Sequence, residues 1–180
     1  MSQFKSYIPI FKFVGAFAGI YLLLSLLYYG YTSIDWQGIN YPDPVTSQVS
    51  YQTHLILDSL GRDASIINTP NLPSVSLYLG TTPVFRVIEG CNAVSVMILF
   101  VAFVLAFARS VKSTLLFIAY GIAIIYIMNL LRLVALAIIY KDYPEFKEFA
   151  HGIAFPAVIY GTTILLWIYW LRGKKTSNEI

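Results

Sequence analysis

Four long apolar runs, separated by polar connectors, organise this chain. The first covers about residues 13–30 and is broken only by Ser25; the second covers about 90–108. The third, about 113–140, is bounded by Lys112 and Lys141 and interrupted by Asn129 and Arg132, and the fourth covers about 152–171. Each run approaches the roughly 20 residues that a helix needs to cross a hydrocarbon core about 30 Å thick. The pattern therefore predicts an all-α membrane protein, a single integral membrane domain over 1–180 built as a bundle of about four transmembrane helices. Lys5 and Lys12 precede the first run as they would in a secretory signal, but the run exceeds the usual apolar region of about 7 to 15 residues, and no A-x-A site follows. It is expected to be a retained anchor.

One large polar segment, residues 31–89, joins the first two runs. Pro42, Asp43 and Pro44 read as irregular chain, and SQVSYQTHLILDSLG (47–61) reads as an amphipathic helix lying on the membrane. ASIIN, SVSLYLG and PVFRVIEG are short β-prone runs punctuated by Asn, Pro, Gly and Thr. The expectation is a small strand-containing lid that feeds directly into Cys91. The sequence contains no internal repeat and no low-complexity stretch, and RGKKTSNEI reads as a short end segment.

Composition agrees with the pattern: 58% of residues are hydrophobic and 12% charged, which excludes an ordinary soluble domain. The placement of charge adds an orientation. With the N-terminus cytoplasmic, Lys5, Lys12, Arg109, Lys112, Arg172, Lys174 and Lys175 lie inside, and eight of the nine acids lie outside. The net charge of +3 then belongs to the cytoplasmic edge, and no nucleic-acid partner is expected. Both termini are placed in the cytoplasm, and the 31–89 lid outside.

This orientation puts three chemically able residues in the outer leaflet. Cys91, the sole cysteine, opens the second run from outside; Arg132 lies in the outer half of the third; His151 opens the fourth. A lone outward-facing cysteine cannot close an intramolecular disulfide, which leaves a free thiol, a packing residue, an acylation site or an intermolecular bridge. At a helix N-terminus the macrodipole and free N–H groups favour an anion, and thiolate is the nucleophilic form of cysteine. Arg132 costs about 2.5 to 3.5 kcal/mol at mid-span on insertion scales, which calls for either a function or an escape by snorkelling. Asn129, three residues earlier, shares its helix face. His151 is a boundary residue or a proton carrier near neutral pH; His54, in the lid, is given no role. One Cys and two scattered His lack ligand spacing, so no metal and no cofactor are expected.

E-G-C-N-A at the start of one run, N-L-L-R (129–132) late in the next and a His opening the last together resemble the exosortase and archaeosortase family of membrane cysteine transpeptidases. The resemblance covers roughly residues 68–171 in order and spacing. It implies an enzyme of the bacterial cytoplasmic membrane, with its active site facing outward. Its partners would be secreted proteins bearing a C-terminal motif, a hydrophobic helix and a basic tail, which it cleaves before transferring the new C-terminus to an acceptor such as a glycan or lipid. It also implies Cys91 as nucleophile, Arg132 as the essential arginine and His151 as the third member. Apart from the resemblance, Asn129 is placed to orient the guanidinium and Glu89 or Arg86 to bias the entrance, with Asn92 as a further supporting residue. The chain departs from the family pattern twice: it has Asn92 and Ala93 where C-S-G is common, and four runs where many members have about eight. Two other classes fit parts of the pattern. A noncatalytic assembly or export subunit would use Arg132 for helix contacts, and an anion transporter would need paired halves that this chain lacks.

Overall fold

A computed structural model of the chain describes residues 2–34, 36, 42–69 and 72–173. Helix α1 (Ser2–Thr32) leads to α2 (Pro44–Ser59), then to strands β1 (Ala64–Asn68), β2 (Ser74–Leu79) and β3 (Thr82–Ile88). A 3-10 turn (Glu89–Cys91) precedes α3 (Val94–Ala106) and α4 (Val111–Asp142). A 3-10 turn at Pro144–Phe146, the single turn α5 (Lys147–Phe149) and a π-helical turn (Ala150–Ala154) then lead into α6 (Phe155–Arg172).

Among the described residues, three helical segments are long and apolar enough to cross a membrane: Ile10–Thr32, Val111–Asp142 and Pro144–Arg172. The run expected to be the second span is realised differently. Its α-helix has only 13 residues, about 20 Å at 1.5 Å per residue, short of a hydrocarbon core of about 30 Å. Three candidate spans and one shorter apolar helix therefore stand where four spans were expected.

The lid is a three-stranded antiparallel sheet of order β1-β2-β3 together with α2. Gly80, at φ 60°, supplies the positive dihedral that the two-residue link between Leu79 and Thr82 requires. Helix α2 begins three residues earlier than its amphipathic pattern suggests. Asp43 caps it by accepting from the backbone N–H groups of Val45 and Thr46, and Pro44 occupies the first turn. Its face of Val49, Thr53 and Leu57 is buried. Leu57, Leu77 and Leu79 pack with Val134 and Ala137 of α4, so the lid is seated on the end of that helix.

The opposite half of the bundle is held by α3, α4 and α6 through Phe100, Val104, Phe117, Ile125, Leu166 and Trp170. Between lipid-embedded helices there is little hydrophobic drive, and close packing around small residues replaces it. Gly121 of α4 faces the Phe100 ring so closely that an added Cβ would overlap it. On the remaining side, Phe13 of α1 stacks on Phe107 with ring centroids 4.4 Å apart.

Candidate active site

Cys91 ends the 3-10 turn and stands two residues ahead of the α3 N-cap, Ala93, rather than inside the helix itself. The chain turns there because Ala93 takes a left-handed conformation, φ 63° and ψ 5°. Asn92 fixes the turn from within: its Oδ1 accepts from the Val94 backbone N–H at 3.0 Å. The Asn92 amide also reaches outward, donating to the Tyr28 hydroxyl at 2.9 Å and to Thr46 Oγ1 at 3.1 Å. With Asn92 fully buried, the cysteine turn is pinned to α1 and to the first turn of α2.

From the other side the turn is held by α4. Asn129 is fully buried and donates from Nδ2 to the Cys91 carbonyl oxygen at 2.9 Å. Its Oδ1 accepts from Arg132 Nη1 at 3.4 Å. One amide thereby connects the cysteine backbone to the guanidinium, as the i, i+3 spacing allows. Arg132 is half-buried, and its Nε finds no hydrogen-bond partner among the described residues. Tyr140, two turns further along α4, packs against the same apolar cluster as Cys91. A guanidinium confined there, with donors unfilled, is available to an anion that forms beside it.

His151 sits on the π-helical turn and is exposed. Its neighbour Ala150 is buried in the apolar cluster of Leu133 and Leu136, against which Cys91, Tyr140 and Phe155 pack. The turn is therefore drawn to the cysteine side, while the imidazole makes no side-chain hydrogen bond with any described residue. Hydrogen bonds join the Cys91 backbone, Asn129 and Arg132 into one unit; His151 is not brought into it by any hydrogen bond among the described residues.

Glu89 opens the same 3-10 turn. Partial burial, and then the negative charge of Asp43, push its carboxyl above the usual glutamate range. Arg86 and Glu89 line an open cavity of about 730 Å³ together with Gly90, immediately before the cysteine. An apolar cleft of about 380 Å³, lined by Ile139, Tyr143, Phe149 and Phe155 among others, flanks the His151 turn. Among the described residues, no cluster of three or more His, Cys, Asp or Glu is arranged to hold a metal. Tyr28 and Thr46 are the supporting residues that sequence reasoning missed. Tyr28 ends an apolar run and Thr46 lies in a stretch read as irregular, so neither carried a periodic signal.

These features define a membrane protein with a polar, partly buried cysteine–asparagine–arginine unit at the junction of lid and bundle. Residues 13–169 match the family described as transmembrane exosortase, and the chain belongs to that family. Membership makes it a membrane enzyme of the protease or transpeptidase kind. No curated protein and no solved structure matches it.

Proposed function

We propose that this chain is a membrane cysteine transpeptidase that cleaves C-terminal sorting signals of secreted proteins at the outer face of the cytoplasmic membrane. The observation that carries the reading is the buried Asn129 amide, which connects the Cys91 backbone at 2.9 Å with the Arg132 guanidinium. A polar bridge of this kind within apolar helices costs free energy unless it is satisfied and used.

In this reading, Cys91 Sγ attacks the scissile carbonyl carbon as thiolate, forming a C–S bond and a tetrahedral oxyanion. Arg132 stabilises that oxyanion, because a fixed cation in a water-poor site acts far more strongly than it would in water. Collapse of the intermediate breaks the C–N bond, and His151 gives a proton to the departing amine. An acceptor nucleophile, a glycan, lipid or water, then attacks the thioester carbonyl as His151 takes its proton, and the C–S bond breaks to return Cys91 as thiolate. The apolar cleft beside the His151 turn has room for a few apolar side chains of a sorting signal's hydrophobic helix, and the cavity lined by Arg86 and Glu89 reaches Gly90, next to the cysteine.

The test is the fate of a client protein that carries such a tail. Cys91→Ser and Arg132→Ala should each leave the client uncut, at least roughly a hundredfold below wild-type processing. Normal processing by both variants would overturn the reading. A silent Cys91→Ala combined with loss of a partner in the Arg132→Ala pull-down would favour the noncatalytic assembly subunit.

A further inference from the structure

A second open cavity lies far from the cysteine. It is a groove of about 890 Å³ where the start of α4 meets the end of α6. Lys112, in the first turn of α4, and Asn129, at the cysteine, are 17 residues apart, about 26 Å along one helix. The groove therefore opens at the opposite end of the bundle. Its rim carries Arg109, Lys112 and Arg172, and no Asp or Glu is among its described lining residues. Ser110 and Ser113 line the same space at the N-terminus of the 32-residue α4, where Ser110 caps the helix, and the positive end of the helix dipole adds to the rim.

Arg109 is built into this place. Its Nη2 donates to the Trp170 carbonyl oxygen, its guanidinium carbon lies 4.0 Å from the centroid of the Trp170 ring, and its Nε has no partner among the described residues. Beyond the cationic rim the wall becomes apolar: Leu116, Phe117 and Tyr120 of α4 oppose Tyr169 of α6. Leu116, Tyr120 and Tyr169 are 62%, 57% and 69% exposed, on two of the candidate membrane spans. A cationic rim continuous with an apolar, membrane-facing wall matches a headgroup phosphate joined to an acyl chain.

We infer that this groove is a binding site for an anionic phospholipid of the leaflet opposite Cys91, with its phosphate held by Arg109, Lys112 and Arg172 and its acyl chain lying along the aromatic wall. A zwitterionic headgroup fits less well, because its own cation would face three others with no carboxylate among the described lining residues to meet it. Free phosphate would fill the rim and leave the wall empty. Seated there, the lipid would connect α4 to α6 at the end remote from the chemistry.

The test compares lipid retention by the full-length protein purified from mixed bilayers of phosphatidylglycerol and phosphatidylcholine, read by native mass spectrometry. Wild type should retain phosphatidylglycerol in preference to phosphatidylcholine. Lys112→Gln combined with Arg172→Gln, which leaves the structural Arg109 in place, should lower that preference roughly tenfold or more. Arg86→Gln, at the other end of the molecule, should leave it unchanged, and matched melting temperatures would show that all three proteins are folded. Equal retention of the two lipids by wild type, or an undiminished preference in the double variant, overturns the inference. So does displacement of the lipid by millimolar inorganic phosphate, which would make the site one for free anions.

Discussion

Ala93 holds a backbone that other L-residues avoid, and the cysteine beside it depends on the resulting turn. The left-handed conformation costs a non-glycine residue about 1 to 2 kcal/mol, yet Ala93 is 5% exposed and contributes a buried methyl, worth about 0.8 kcal/mol. Glycine would relieve the strain but would lose the methyl and restore about 0.4 to 1 kcal/mol of freedom to the unfolded chain. The terms nearly cancel, so Ala93→Gly should change stability by less than about 1 kcal/mol. Ala93→Val adds a branched side chain to the same dihedral in a filled site and should cost about 2 kcal/mol or more. Thermal unfolding in detergent separates the two; equal destabilisation by both would mean that the turn imposes no dihedral constraint.

At the scale of elements, the contact between α3 and α4 is set by one small residue. Because Gly121 lies against the Phe100 ring, Gly121→Ala should force the helices apart and cost about 1 to 3 kcal/mol; an unchanged melting temperature would show that the ring moves aside freely. The strands were legible almost to the residue, since Ala64–Asn68, Ser74–Leu79 and Thr82–Ile88 are short β-prone runs between Asn, Pro and Gly. The start of α2 was also written in the sequence, as Asp43 before Pro44, a cap followed by a proline at the first helical position. Two flanking prolines and the preference for loop obscured it. The shortness of α3 was not read from the sequence: the apolar run was taken from 90 to 108, whereas the left-handed Ala93 delays the helix to Val94 and Phe107 caps it. Cys91, Arg132 and Asn129 stood out as polar or reactive groups in apolar runs, whereas Tyr28 and Thr46 become visible only once α1 and α2 are brought to the cysteine turn.

For the molecule as a whole, the lid is joined to the bundle by an acidic corner that has a pH signature. Glu89 is held above its ordinary pKa by partial burial and by the nearby Asp43, so the folded state prefers it protonated. Its favourable contribution is complete below the ordinary glutamate range and is lost as pH rises through the elevated folded value. Stability measured over mildly acidic to neutral pH should therefore fall with rising pH by an amount that Glu89→Gln removes. A variant whose profile retains the wild-type slope would place the effect elsewhere. The ion pair of Arg62 and Asp142, 2.6 Å apart, ties the end of α2 to the end of α4. Both side chains are partly solvated, so the pair orients the lid more than it stabilises it.

The most direct measurement of the central claim is intact mass spectrometry of the protein, acid-quenched during turnover of a tail-bearing client. The account predicts a transient covalent adduct equal in mass to the client segment upstream of the cut. That adduct should map to Cys91 and be absent from Cys91→Ser. Cutting of the client at the wild-type rate by Cys91→Ala would contradict it.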